Sequence, residues 1–236
     1  MSGGQLCIAL DYPTRAEVVD GARRFAGRVG WLKIGLEAFV ASGPSVVADV
    51  AALGPSVFLD LKLHDIPATV GAAVEAAARS GATMVNVHAL GGRAMLQAAR
   101  EAATRSNLPT LVAVTLLTSL DAGALADLPI AGHPEGIARR LALLARRSGL
   151  DGVVCSAADV VSIRAACGAD FLTVVPGIRP AGFSADDQRR IATPAAAIGA
   201  GADLLVVGRA VTAAADPDAA LDGVLAEIDS ALTRRF

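Results

Sequence analysis

The chain has 236 residues, 53% hydrophobic but only 3% aromatic, so an aliphatic, Ala-filled core is expected. Its net charge of -2, with no basic run and no basic patch interleaved with aromatics, argues against nucleic acid or a membrane surface as partner. No apolar stretch is long and charge-free enough to span a bilayer, and Met1-Ser2-Gly3-Gly4-Gln5 lacks the pattern of a secretory signal. Cys7, Cys155 and Cys167 are odd in number, widely spaced and without a C-x-x-C pair, which suits reduced, buried thiols in a cytoplasmic protein.

In chain order, strands are expected at Leu6–Asp11, Trp31–Leu36, Val57–Lys62, Met84–His88, Leu111–Leu116, Gly152–Ser156, Phe171–Val175 and Leu204–Gly208. Most are continuous apolar runs, the mark of parallel strands buried on both faces. Ala-rich segments with helical spacing separate them. Gly30, Gly81, Gly149, Gly168 and Gly201 each precede a strand, where a helix C-cap glycine belongs. Eight βα units in this length predict an α/β fold of the (β/α)8 TIM-barrel class, a single domain over residues 1–236. An open doubly wound sheet would need a Gly-rich fingerprint after an early strand, and the first strand runs instead into Asp11-Tyr12-Pro13. Irregular chain is expected over Ser119–Pro134 and Pro176–Asp187.

The third unit carries the most chemistry. Its strand reads into Asp60-Leu61-Lys62-Leu63-His64-Asp65-Ile66-Pro67, and Pro67 suits the first turn of a helix. Alternation along the strand puts Asp60 and Lys62 on one side and Leu59, Leu61 and Leu63 on the other. Two opposite charges and a second carboxylate, Asp65, then converge where strand passes to helix. Desolvated charges cost several kcal/mol each unless paired, so this cluster reads as chemistry. The plainer reading of Asp65 alone is support of the helix start. Asp11, Lys33, Asp60, Lys62, His88, Thr118 and Arg209 all fall at or just after strand ends, the active-site rim of a barrel. His88 taken singly reads better as a rim residue bonded to a loop. Lys33 adds a further charge of alternating sign beside Asp60, Lys62 and Asp65.

Pro176-Gly177-Ile178-Arg179 follows the seventh strand, and Gly208-Arg209 closes the eighth. Barrels often bind phosphate there, and the two arginines can offer planar forks to its oxygens.

Together these segments resemble the orotidine 5'-phosphate decarboxylase family in its short bacterial form. The resemblance covers nearly the whole chain. It rests on Leu10-Asp11, Leu32-Lys33-Ile34-Gly35, Asp60 through Thr69, Val85-Asn86-Val87-His88-Ala89, Thr115 through Ser119, Pro176 through Arg179, Asp187-Gln188, Thr193-Pro194 and Val207-Gly208-Arg209. One departure is Ala68, where the family often has Asn; Asp65, Ile66 and Thr69 around it are intact.

The resemblance implies decarboxylation of orotidine 5'-phosphate to UMP and CO2 in pyrimidine biosynthesis, by a homodimer using neither metal nor organic cofactor. It implies Lys62 as proton donor to C6, Asp60 beside the substrate carboxylate and Lys33 bridging Asp60 and the ribose. Asp65 would come from the partner subunit, with Ile66 and Thr69 beside it in the substrate site. Asp11 would bind a ribose hydroxyl, and Thr118 the pyrimidine. Arg179, Gln188, Gly208 and Arg209 would hold the 5'-phosphate, with residues 176–188 closing over it. His64, His88 and His133 show no metal-ligand spacing. A sister group with the same D-x-K-x-x-D element uses Mg2+ on sugar phosphates, but it usually carries an acid where this chain has Lys33. A catalytically silent barrel binding a phosphorylated ligand is the other alternative.

Overall fold

Eight short apolar runs pair in parallel and close on themselves, β1 against β8, in a computed structural model that describes residues 2–180 and 192–234. The order is β1 (Leu6–Ala9), α1 (Arg15–Phe25), β2 (Trp31–Ile34), α2 (Leu36–Ser42), α3 (Ser45–Ala51), β3 (Ser56–Leu63), α4 (Pro67–Arg79), β4 (Met84–His88) and α5 (Gly92–Arg105). There follow β5 (Thr110–Val114), α6 (Ala122–Ala126), α7 (Pro134–Arg147), β6 (Gly152–Val154), α8 (Val160–Cys167), β7 (Leu172–Val175), α9 (Pro194–Ala200), β8 (Leu204–Val207), α10 (Arg209–Thr212) and α11 (Pro217–Thr233). This is the (β/α)8 barrel expected from the alternation of elements.

The strands read as unbroken apolar runs because both of their faces are buried. Leu6 and Ile8 join the large core between strands and helices, while Cys7 and Ala9 join a smaller one with Phe58, Met84, Val112, Val114, Val154, Val174, Leu204 and Val206 inside the barrel. At the N-terminal rim a device recurs. Thr83, Asp151 and Asp203, each at the turn into a strand, accept the backbone N–H of Val57, Leu111 and Thr173 on the strand before. Those donors would otherwise go unpaired at the barrel mouth.

Several strands stop a residue or two before the apolar pattern does. β1 ends at Ala9 and β5 at Val114, yet Leu10, Leu116 and Cys155 beyond their strands remain buried. Cross-strand bonding fades rather than stops there, since Leu10 N–H still reaches Lys33 O at 2.9 Å and Cys155 N–H reaches Val174 O at 3.0 Å, and the hydrophobic run marks burial rather than the strand's last residue. Between Ser119 and Pro134, expected to be irregular, Asp121 caps a one-turn helix by accepting the N–H of Ala124. Gly30 is also corrected. Gly81, Gly149, Gly168 and Gly201 have the left-handed backbone of a helix end, but Gly30 does not. A Cβ there would lie 3.1 Å from Gly4 Cα, so Gly30 serves a close backbone approach to residues Gly3 and Gly4.

Candidate active site

At the C-terminal end of β3 the strand departs from regular geometry. Leu59 pairs with Val85 and Leu63 with Val87, so the register shifts across residues 60–62, and Lys62 takes a left-handed φ of 52°. Such a backbone is costly for a residue with a Cβ. It brings Lys62 Nζ within 2.7 Å of Asp60 Oδ1. Asn86 on β4 donates to the same Oδ1 at 2.7 Å, and its own Oδ1 accepts the Lys62 N–H at 2.8 Å.

Lys33, buried on β2, faces Asp60 Oδ2 at 3.5 Å and donates to Asp11 Oδ1 at 2.9 Å. Four charges of alternating sign therefore run Asp11, Lys33, Asp60, Lys62. Burial alone would raise the Asp60 carboxyl, but Lys33, Lys62 and the Lys62 and Asn86 hydrogen bonds outweigh it and hold the group below its ordinary value. Burial would likewise lower Lys33, yet Asp60 and Asp11 leave it raised. Both partners thus stay ionised over a wide pH range. Gly35 makes the outer pair possible: a Cβ there would lie 2.6 Å from Asp11 Oδ1 and 2.9 Å from Lys33 Nζ.

These side chains line one face of a cavity of about 510 Å3 at the C-terminal mouth of the barrel. Its floor is apolar, formed by Ala9, Phe58, Val114, Val154 and Val206. Thr118, Pro176, Gly177, Arg179, Gly208 and Arg209 also border it. Arg179 is buried, its main chain fixed by donation to Ala192 O at 2.9 Å. Arg209 opens α10 directly after Gly208. The cavity therefore has two guanidinium groups among its walls, an ammonium–carboxylate relay, and room for a nucleotide-sized molecule.

A family model described as the orotidine 5'-phosphate decarboxylase / HUMPS family matches residues 4–224. The chain belongs to that family. Over 228 residues it is 52% identical to the orotidine 5'-phosphate decarboxylase of Halorhodospira halophila, covering 96% of this chain and 97% of that one. The protein of the same name from Nitrosococcus oceani is 47% identical over 231 residues, covering 98% of this chain and all of the relative. The crystal structure of orotidine 5'-phosphate decarboxylase from Lactobacillus acidophilus superposes with a TM-score of 0.81 at 34% identity, covering 96% of this chain and 99% of that one.

Of the site residues expected from the sequence, the structure gathers Asp11, Lys33, Asp60, Lys62, Thr118, Arg179, Gly208 and Arg209 around one cavity. Asp65 is not among them, so its convergence with Asp60 and Lys62 within one chain, expected from the sequence, does not occur. Asp65 Oδ1 instead accepts the Ile66 N–H at 2.6 Å, one residue before α4, and the side chain is exposed. The reason is local: after Lys62 the chain turns outward to begin the helix. Asp65 borders a separate open depression with His64, Ile66, Pro67, Leu90 and Gly91, and Thr69 is exposed on the first turn of α4.

His88 keeps to the rim, as its plainer reading had it. Its Nδ1 accepts the Leu90 N–H, and its ring stacks on His64 with centroids 5.2 Å apart. Gln188 lies outside the described residues. Among those described, no group of three or more His, Cys, Asp or Glu is arranged to hold a metal ion, and no helix is long and apolar enough to cross a membrane. Gly35 and Asn86 fall inside recognised motifs but carried no predicted role, because neither has a side chain that announces chemistry.

Proposed function

We propose that this chain converts orotidine 5'-phosphate to UMP and CO2 in cytoplasmic pyrimidine biosynthesis, as a one-domain protein using no metal or organic cofactor. The observation that carries the reading is the Lys62–Asp60 pair, 2.7 Å apart, facing a cavity that Arg179 and Arg209 also line. The arginines, with Gly208 and Gln188, take the 5'-phosphate; Asp11 and Lys33 take the ribose; Thr118 holds the pyrimidine.

Chemistry then follows from charge. The bond from C6 to the carboxylate carbon breaks, CO2 departs, and the electron pair stays at C6. No neighbouring ring system is positioned to delocalise it, so the fixed ammonium of Lys62 stabilises it and transfers a proton to C6. Lys62 regains its proton from solvent. Two unit charges about 4 Å apart interact by roughly 4 kcal/mol at an effective dielectric of about 20, so Asp60 beside the substrate carboxylate raises the ground state by a term of that order. The term is relieved as CO2 leaves. Phosphate and ribose contacts, remote from C6, hold the substrate against that repulsion.

The working form is a homodimer in which Asp65 of the partner subunit completes each site, with Ile66 and Thr69. Exposure of Ile66 (66%) and Leu90 (41%) beside Asp65 supports an interface there. The test is turnover of orotidine 5'-phosphate, followed by loss of its absorbance with EDTA present. Sustained turnover is expected. No turnover would refute the reading, and Mg2+-dependent action on a sugar phosphate instead would assign the chain to the sister group.

A further inference from the structure

We infer that Asn86 is a positioning residue for the reaction, clamping Asp60 and Lys62 together by holding the carboxylate of one and the backbone of the other. The inference rests on the decarboxylase reading and extends it to a residue outside the charged network.

First, Asn86 is fully buried on β4, opposite the part of β3 where the ladder breaks. Between the pairs Leu59–Val85 and Leu63–Val87 the main chain of β3 cannot keep its ordinary parallel bonds to β4. The Lys62 N–H goes instead to the Asn86 side-chain oxygen at 2.8 Å. A buried N–H without a partner would cost about 1–3 kcal/mol, and the left-handed backbone of Lys62 costs roughly 1–2 kcal/mol more, so this acceptor decides whether the bulge is tolerated.

Second, the other end of the same amide donates to Asp60 Oδ1 at 2.7 Å, on the oxygen that also receives Lys62 Nζ. The amide's orientation follows from its partners. A backbone N–H can only donate and a carboxylate only accept, so Oδ1 must face Lys62 and Nδ2 must face Asp60. A side-chain amide presents a neutral donor and an acceptor on one carbon at any pH, whereas a carboxyl group does so only when protonated. Leu offers neither, and an ionised Asp only acceptors.

Third, both contacts act on the pair proposed to do the chemistry, while neither touches the phosphate or ribose side of the cavity. Loss of the clamp should therefore appear in kcat rather than KM. A displacement of about 1 Å at reacting groups can cost about 100-fold in rate.

Two variants separate positioning from mere packing. Asn86→Leu fills similar space and removes both bonds; kcat should fall about 100-fold, on the scale of such misplacement, with KM little changed. Asn86→Asp retains an acceptor for the Lys62 N–H but, once ionised, sets a second carboxylate against Asp60. Asp60 and Lys62 contact it, Lys33 lies beyond them against Asp60 Oδ2, and the His88 ring, two residues along β4, is the other titratable group near Lys62. Two carboxylates in contact cannot both stay ionised easily, so as pH falls they share a proton and the donor to Asp60 is restored. The Asn86→Asp deficit, relative to wild type at each pH, should shrink toward acid. A purely structural Asn86 would give lowered thermal stability with wild-type kcat in Asn86→Leu, or a pH-independent deficit in Asn86→Asp, and either result overturns the assignment. Absence of wild-type turnover would overturn the decarboxylase reading, and this assignment with it.

Discussion

Asp11 bonds to Lys33 directly over Gly35, close enough that a Cβ on Gly35 would stand 2.6 Å from Asp11 Oδ1. The outer half of the charge relay thus depends on a missing side chain. Gly35→Ala should force Asp11 off Lys33 while the barrel still folds. A hydrogen bond between charged groups is worth about 1.5–3 kcal/mol, so kcat/KM should fall roughly ten- to a hundredfold. Steady-state kinetics beside a melting curve would check this, and wild-type kcat/KM would show that the pair is dispensable.

The fold was largely legible because parallel barrel strands are buried on both faces, and eight such runs with helical spacers permit few architectures. Strand ends were less so, since Leu10 and Leu116 stay buried past the last residue of their strands. At the site, charged residues on the rim could be read from their position after each strand. The left-handed turn at Lys62 could not, because nothing in Asp60-Leu61-Lys62 signals it and its support, Asn86, comes from the next strand. Asp65 shows the opposite limit. Sequence proximity suggested a shared site, but three residues of outward-turning chain took it to another surface.

Arg209→Ala should harm phosphate-bearing substrate far more than the bare nucleoside. Loss of a charged, forked donor costs about 1.5–3 kcal/mol, roughly ten- to a hundredfold, and added guanidinium should restore part of it. Equal losses on both substrates would remove Arg209 from phosphate binding.

If Asp65 acts across a dimer interface, Asp65→Ala and Lys62→Ala proteins should complement each other after subunit exchange. One site of each mixed dimer then carries intact Lys62 and intact Asp65, and the other lacks both. Random pairing makes about half the dimers mixed, so about a quarter of all sites should regain wild-type composition. Verified exchange without recovered activity would leave Asp65 as a helix-start residue of its own chain.

Burial, then His64 and Lys62, push His88 from 6.5 down to about 4. Within that window the unfolded chain binds a proton that the folded chain refuses, so stability is full above it and falls as pH drops through it. His88→Gln removes the titration. The drop in urea midpoint between neutral pH and roughly pH 5 should be smaller in this variant than in wild type. An identical drop in both would place the acid sensitivity elsewhere.

If Lys62 delivers a proton to C6, the reverse of that step can be watched without any decarboxylation. In D2O, wild-type protein should exchange the C6 proton of bound UMP for deuterium, read by loss of its proton NMR signal, because the group that gives the proton as an ammonium takes it back as the neutral amine and then exchanges with solvent. Lys62→Ala should still bind UMP, through phosphate and ribose contacts that the substitution leaves in place, yet show no exchange above buffer. Exchange by Lys62→Ala at the wild-type rate would contradict the account and give the proton to another group.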